Sequence, residues 1–596
     1  MRSVTTALAL TFLVTSSAFA FEASDTVSPE GATATGLMST SAASRAALLA
    51  RDAGVPVRSE NWMVTAANPL AVEAGADVLA LGGTAADAMV AMQAVLGLVE
   101  PQSSGLGGGA FLVWYDALSG DVITLDGRET APMDARPGLF QDADGEPLRF
   151  FDAVVGGLSV GTPGTPALME AAHRRWGRAN WGSLFDAAID HAEAGFAVSP
   201  RMADSVAADA ERLARFSTTA AYFLPNGTPV AAGDLLRNPS YGQTLRALAT
   251  QGAAALYEGE IAEGIVQTVR GAARNPGILS LRDLAAYRVI ERAPVCAAYR
   301  VYEVCGMGPP SSGALTVGQI LGMASAFDLA TLGPNSPEAW RIIGDASRLA
   351  FADRARYMAD SDFVPMPTQG LISPDYLAQR ALLLDRDDAL AQTSAGDPPW
   401  DHAALWADDM AIELPSTSHI SIVDQYGNAL SMTTTIENGF GSRLMTPGGF
   451  LLNNEMTDFS FRTHRNGRPI ANRVEPGKRP RSSMAPTIVL RDGEPVLVLG
   501  SPGGSRIIGF VAQAIIAHLD WGMDVQQAVA MSHLVNRFGT FDIEAGPQAD
   551  ALEEALVAIG YEVRVRDLNS GLHAIAIGDI LTGGADPRRE GIALGE

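Results

Sequence analysis

One stretch limits what this chain can fold into more than any other. Residues 414–435 read LPSTSHISIVDQYGNALSMTTT and alternate apolar and polar residues on both sides of Gln425-Tyr426-Gly427. Ile420 and Ile422 on one arm, with Leu430 and Met432 on the other, give the period of two expected of a half-buried antiparallel pair. A three-residue loop ending in glycine sets Asp424 opposite Asn428. Counting outward, Ile422 meets Leu430, Ile420 meets Met432, and Thr417 falls opposite Thr435. The same period turns both threonines away from the apolar face, together with His419, Ser421, Ser431 and Thr433. One face is greasy; the other is lined with hydroxyls.

A threonine hydroxyl is a weak nucleophile that needs a base beside it, and one chemical solution uses the α-amino group of an N-terminal threonine. Thr417 lies mid-chain with its amine acylated, so that solution requires the Ser416–Thr417 bond to break, the hydroxyl attacking the preceding carbonyl. On the hairpin alone, a Ser/Thr-rich strand face without chemistry is the other reading.

Residues 1–20 carry one basic residue, Arg2, a short apolar run and Ala18-Phe19-Ala20 before Phe21. This is the pattern of a secretory signal, too short for a membrane span, and predicts a periplasmic or secreted protein. The 596-residue length allows a large core, and 47% hydrophobic with 18% charged residues is a globular composition. A net charge of −25 opposes any phosphate-binding surface, so nucleic acid is not an expected partner. The two cysteines, Cys296 and Cys305, flank AAYRVYEV and suit a local disulfide in an exported protein better than a metal site. The eight histidines form no H-E-x-x-H or close His/carboxylate cluster, so neither a metal nor any other cofactor is expected.

Taken in order, a short helix is expected near residues 42–51 and a strand at 63–66. Asn68-Pro69 then caps a helix to about Leu81, and a second, apolar helix covers about 85–99. Gly105-Leu106-Gly107-Gly108-Gly109 lies between a helix and the strand FLVWY. That order is wrong for a dinucleotide site, and it reads as close backbone packing. After the strand at about 122–125, Arg128 could offer a planar fork to a substrate carboxylate or pair with Asp126 or Glu129. Helices dominate residues 157–377, and residues 392–415 resemble a polar linker that could accommodate a backbone cut. Residues 448–461 are expected as a strand with Glu455 and Asp458 past its end, two carboxylates suited to an ammonium or to a solvated turn. A strand at 494–499, the turn Gly500–Ser505 and a helix at about 507–519 follow, and backbone N–H groups at such a turn can hold an oxyanion.

Together Thr417-Ser-His, the Thr433–Thr435 strand, LLNNEMTDF, KRPRSSM, GSPGGSR, GLGGGAF, DGRE, GTPGTP and PPSSG resemble the γ-glutamyltransferases of the N-terminal-nucleophile hydrolase superfamily, in that family's order over almost all of the mature chain. The resemblance implies an α/β (α+β) fold, a four-layer αββα sandwich, made as a precursor that cuts itself between Ser416 and Thr417. A large chain of residues 21–416 and a small chain of residues 417–596 would stay together. It implies that Thr417 attacks the γ-carbonyl of glutathione or another γ-glutamyl compound, that Thr435 hydrogen-bonds the nucleophile, and that Gly503 and Gly504 form the oxyanion hole. Arg128, Ser482 and Ser483 would hold the donor's α-carboxylate, and Glu455 and Asp458 its α-ammonium. Water, an amino acid or a peptide would accept the acyl group.

One position departs from the usual pattern: Glu437 stands where familiar members carry Asn, and it adds a carboxylate to the substrate site. That motivates an alternative, a glutaryl or cephalosporin-type amide acylase of the same fold. A second is a non-catalytic exported binding protein that never matures. The segment between Asp458 and Ser482 also looks shorter than in members with a long lid loop, which implies an open pocket that favours hydrolysis.

Overall fold

The hairpin forms in the register that its alternation dictates. The computed structural model describes residues 40–402, 405–411, 413–414 and 416–596; the export signal expected in residues 1–20 lies outside them. Strands Ser418–Val423 and Ala429–Thr435 pair antiparallel, with Val423 across from Ala429 and Ser418 across from Thr434. Gly427 takes a φ of 84°, the left-handed conformation that closes the turn. The Asp424 carboxylate stiffens this turn, its Oδ1 accepting from the backbone N–H groups of Tyr426 and Asn428 at 3.0 Å each. Its Oδ2 accepts from Ala85 N at 2.9 Å, tying the turn to the first residue of helix Ala85–Val99.

The expectation of a half-buried hairpin is corrected: every residue of both strands is buried. The reason is a second sheet. One seven-stranded sheet runs Ile592–Gly595, Met63–Ala66, Ser418–Val423, Ala429–Thr435, Gly109–Asp116, Asp121–Gly127, Ile290–Arg292. The other runs Val57–Ser59, Leu581–Ala585, His573–Ile577, Glu494–Gly500, Thr487–Arg491, Tyr302–Gly306, Val295–Tyr299. Ile420, Ile422, Leu430 and Met432 share one core with helices Pro69–Ala80 and Ala85–Val99 on the outside. Helices Gly313–Ala324, Pro337–Tyr357 and Ile507–Leu519 cover the outer face of the second sheet through Val489, Leu497 and Leu499. The layers are therefore α, β, β and α.

Between the sheets the hairpin changes character along its length. Near the turn, Val423 and Ala429 join Val113, Ile488, Val498 and Ile575 in an apolar filling. Further along, hydroxyls bond the facing sheet instead: Ser431 Oγ donates to Leu499 O at 2.9 Å and Ser421 Oγ to His573 O at 3.2 Å. The polar face expected to meet solvent or substrate is thus partly structural, and only its far end, at Thr417 and Thr435, is left for a site. Each sheet is built of strands from both sides of residue 417, so breaking the bond before Thr417 leaves the layers joined.

Helices Ala42–Asp52, Pro69–Ala80 and Ala85–Val99 form where they are expected, with Asn68 accepting from Leu70 N and Thr84 closing a capping box with Asp87. Residues 448–461 do not form the expected strand: Leu451 and Leu452 make isolated bridges, and Glu455–Asp458 is a 3-10 turn. Asn453 is the cause. Its Oδ1 accepts from Gly161 N and Glu455 N, and its Nδ2 donates to Gly107 O, so side-chain bonds replace a ladder. The linker-like tract at 392–415 has no regular element among the described residues, yet it is packed in place, Gly396 N donating to Asp353 Oδ1 at 2.7 Å and Asp409 and Glu413 being buried. Cys296 and Cys305 are joined in a disulfide across the adjacent strands Val295–Tyr299 and Tyr302–Gly306. Among the described residues no helix is long and apolar enough to cross a membrane.

Replacing Asp424 by Ala strands the N–H groups of Ala85 and Asn428, and each orphaned buried donor costs about 1–3 kcal/mol. The expected outcome is a clear fall in the urea midpoint with an unchanged slope; an unaltered midpoint would show that the turn does not hold helix Ala85–Val99 in place.

Candidate active site

At the open end of the hairpin the two threonines meet a carbonyl. Thr435 Oγ1 donates to Ser416 O at 2.9 Å, and Thr417 Oγ1 lies 3.2 Å from Thr435 Oγ1 and also bonds the Ser416 carbonyl. Glu437 N donates to Thr435 Oγ1 at 2.9 Å, so the Thr435 hydroxyl receives one hydrogen bond while giving another. Around the bond, Ser416 Oγ donates to Gln102 O at 2.7 Å and Arg589 Nη1 donates to Thr417 O at 2.8 Å. The peptide between Ser416 and Thr417 is clamped on both sides, with the hydroxyls of Thr417 and Thr435 both at its carbonyl oxygen.

The glycine tract permits this approach. A Cβ on Gly108 would stand 2.0 Å from Thr435 O, and one on Gly107 2.0 Å from Leu451 O. Only backbone fits there. The turn after strand Glu494–Gly500 is likewise glycine-dependent, with φ of 138° at Gly503 and 57° at Gly504, and it leads through a 3-10 turn into helix Ile507–Leu519. The positive end of that helix dipole, at Ile507, lines the cavity together with Gly504.

Arg128, Thr417, Thr435, Glu437, Glu455, Asp458, Ser482, Ser483 and Gly504 line one cavity. Ser416 and Gly503 flank it, one across the peptide bond and one across the turn, and the Cys296–Cys305 bridge takes no part in its lining. Arg128 does not pair with Asp126 through its guanidinium. It contacts Glu455 through Nη1 and bonds Asp458 Oδ2 through Nη2 at 2.5 Å, with Glu129 4.0 Å away. One cation thus faces Glu129, Glu455 and Asp458, with Glu437 alongside.

Burial and mutual repulsion govern their charges. Burial, assisted by Asp458, holds the Glu437 carboxyl well above the usual range. Burial also raises Glu455 and Asp458 well above it, against the pull of Arg128. Burial pushes Glu129 up to about 8. Oε1 of Glu437, Oε2 of Glu455 and Oδ1 of Asp458 are buried without a hydrogen-bond partner. A buried carboxylate oxygen left bare in this way is a site for a donor brought by a ligand.

Ser482 and Ser483 are placed by the PPSSG turn: Ser312 N and Ser312 Oγ donate to Ser482 O at 2.8 and 2.6 Å, and Ser311 Oγ donates to Met484 O at 2.7 Å. Ser483 Oγ accepts from Arg354 Nη2 at 2.8 Å. Arg354, Arg589, Gln102, Asn454 and Glu413 escaped the sequence reading. Arg354, Arg589 and Gln102 reach the site through partners 129, 172 and 314 residues away in sequence, which leaves no local pattern, whereas Asn454 and Glu413 adjoin residues already singled out.

Residues 71–596 match the family described as Gamma-glutamyltranspeptidase. The chain is 37% identical over 550 residues to the glutathione hydrolase proenzyme of Bacillus subtilis (strain 168), covering 90% of this chain and 92% of that protein. It is 34% identical over 546 residues to the acylase ACY 1 proenzyme of Pseudomonas sp. (strain SE83), covering 90% and 94%. A cephalosporin acylase structure from Bacillus halodurans superposes with a TM-score of 0.80 at 24% identity over 91% of this chain and 97% of that one, a likeness of fold.

The raised carboxyls set a sign for ligand binding. Ionised, they attract an ammonium; protonated, they do not, so affinity for an ammonium-bearing ligand rises with pH through a range above that of ordinary carboxylates. The Glu437 charge is among the influences that raise Glu455. In Glu437→Gln the acid limb of kcat/KM for an ammonium-bearing substrate is therefore expected to move to lower pH while KM rises; a limb that stays put would place the titration outside this cluster.

Proposed function

The chain belongs to the gamma-glutamyltranspeptidase family, and from that premise we propose that it is an autoprocessing γ-glutamyl hydrolase and transferase whose nucleophile is Thr417. The observation that carries the reading is the meeting, in one cavity, of the Thr417 and Thr435 hydroxyls with three bare carboxylate oxygens on Glu437, Glu455 and Asp458. An α-ammonium has three N–H donors to offer them.

In the first step Thr417 Oγ1 adds to the Ser416 carbonyl carbon while the Thr435 hydroxyl donates to the carbonyl oxygen. The C–N bond breaks, its nitrogen takes the hydroxyl proton, and the resulting ester is hydrolysed by water. Two chains result, residues 21–416 once the export signal is removed and residues 417–596, held together by the shared sheets as a heterodimer from one precursor. Thr417 then carries a free α-amino group.

In the second step that amine takes the Thr417 hydroxyl proton as the oxygen attacks the γ-carbonyl of glutathione or a related compound. The Gly503 and Gly504 N–H groups receive the oxyanion, and the leaving amine departs with the proton. The γ-glutamyl ester passes its acyl group to water or to the amino group of an amino acid or peptide. Glu437, the departure that raised the acylase alternative, lines the cavity beside the other two carboxylates, and this supports a donor with an ammonium. A glutaryl group would leave the three carboxyls with Arg128 as their one facing cation among the described residues and their bare oxygens unmet.

Thr417→Ala is expected to leave a single uncut chain in an intact-mass spectrum and no turnover; cutting that survives would remove Thr417 from the mechanism. Wild-type enzyme should prefer L-γ-glutamyl-4-nitroanilide to glutaryl-4-nitroanilide by about a hundredfold in kcat/KM. Uncompensated buried carboxylates cost about 3 kcal/mol or more, and each 1.36 kcal/mol is about tenfold in rate. Equal rates would transfer the protein to the acylases.

A further inference from the structure

Thr417 stands one residue outside the ladder that leads to it, since the pairing of Ser418–Val423 with Ala429–Thr435 begins at Ser418 and Thr434. Even-numbered residues of the first strand turn their backbone groups toward that partner, in step with Asp424 N bonding Asn428 O. Odd-numbered residues turn theirs toward Met63–Ala66 on the other side. That neighbour is short, and its last pair is Ala66 with Ile420. The Thr417 carbonyl therefore falls beyond the end of the strand that would have bonded it.

Arg589 takes the missing place. Its Nη1 donates to Thr417 O at 2.8 Å, and among the described residues no backbone group bonds the Thr417 backbone. The arginine lies just ahead of Ile592, which pairs with Ala66 at the start of strand Ile592–Gly595. Its side chain thus crosses the end of Met63–Ala66, from the strand on one side of it to the strand on the other. Arg589 is held along the way. It is 1% exposed, its Nε donates to Ser570 O at 2.7 Å, and its own carbonyl accepts from Arg51 Nη1 at 2.9 Å. The Ser570 hydroxyl is fixed in turn between His533 Nε2, at 2.6 Å, and the Asp586 carboxylate. Gly571 leaves room for the passage: a Cβ there would lie 2.6 Å from Arg589 Cδ and 2.7 Å from Pro502 Cγ, which sets Arg589 beside the turn that carries Gly503 and Gly504.

The bond matters more once the chain is cut. While the Ser416–Thr417 bond is intact, Thr417 is also tied through Ser416, whose Oγ donates to Gln102 O at 2.7 Å. After cleavage Thr417 is a chain terminus, and termini fray unless something ties them down. The contact from Arg589, a hydrogen bond from a permanently charged donor, survives the cut because both residues belong to the same product. Resting on the functional reading above, we propose that Arg589 is a positioning residue of the mature enzyme: it holds the Thr417 carbonyl in place of a strand partner and so seats the hydroxyl and the freed α-amino group of that terminal residue in the cavity.

The test is Arg589→Gln and Arg589→Lys in the full-length chain, with two rates read for each. One is self-cleavage, followed by intact mass; the other is turnover of L-γ-glutamyl-4-nitroanilide by enzyme that has finished cutting. In Arg589→Gln, kcat is expected to fall about tenfold or more with KM nearly unchanged, while self-cleavage slows much less and Arg589→Lys recovers part of kcat, since a hydrogen bond to a charged group is worth about that factor. A general weakening of the fold would slow both steps together. Equal loss in both steps, an unchanged kcat, or a folded Arg589→Gln chain that cannot cut itself overturns the proposal. Should Arg589→Gln not fold, Arg589→Lys carries the comparison alone: kcat lowered more than self-cleavage is the expected result, and equal or no loss overturns it.

A second readout needs no substrate. Periodate, reduced to iodate, splits the Cα–Cβ bond of an N-terminal threonine through its adjacent amino and hydroxyl groups, leaving an aldehyde on the chain and releasing acetaldehyde and ammonia. The resulting mass loss of the small chain reports how freely Thr417 turns. Oxidation is expected to be faster in processed Arg589→Gln than in wild type, and equal rates overturn the seating. Wild-type enzyme that cuts itself yet turns over no γ-glutamyl anilide would refute the functional reading, and the periodate rates would still decide the seating; a wild-type chain that never cuts refutes both.

Discussion

The register between Ser418–Val423 and Ala429–Thr435 is the constraint from which the rest follows. A slip of one residue would turn Ile420, Ile422, Leu430 and Met432 toward the facing sheet and every hydroxyl toward the outer helices. Asp424 pins that register at the turn by bonding both the loop backbone and the start of helix Ala85–Val99. From there the pairing runs without a bulge to Ser418 and Thr434, and Thr435 is still paired with Gly109. A catalytic pair at the end of such a ladder inherits its precision from packing that is remote from the chemistry.

The mid-sheet position of the hairpin explains why cutting the chain is compatible with keeping the fold. Met63–Ala66 and Gly109–Asp116 flank it on either side, and the C-terminal strand Ile592–Gly595 pairs on the outer edge of Met63–Ala66. The ladder bonds are shared between the segments before and after Thr417, and both cores draw on residues from each. A new amine and a new carboxylate can therefore form without exposing a core.

Much of this was legible in the chain because it is local. Period-two alternation, a loop closed by Gly427, and the Asn68-Pro69 cap each act over a few residues, and each gives the element it predicts. The expected strand at 448–461 failed for an equally local reason of another kind: Asn453 satisfies backbone groups with its side chain, and the composition of LLNNEM does not reveal which way it turns. Full burial of the hairpin was not legible, since a hydroxyl face packed on a second sheet has the same alternation as one facing water. Arg354 was hidden altogether. In PEAWRIIGDASRLAFADRARY it is one of several charged residues on a long helix, and only the approach of Ser312, Ser483 and Glu413 from elsewhere gives it a role.

Around Thr417, charge is separated into two neighbourhoods. On one side Glu437, Glu455 and Asp458 exceed the Arg128 that faces them; on the other, among the described residues, Arg354 and Arg481 pair with Glu413 and Asp409 from the stretch before Thr417. An α-carbon bearing both an ammonium and a carboxylate is the complement of such an arrangement, and neither half of it would be stable in water-free surroundings unless the other charge were also met. Glu413 pairs with Arg354 and Asp409 with Arg481, so the chain folds without a bare guanidinium in that neighbourhood. The site tolerates its buried charges only while each is met by an opposite one.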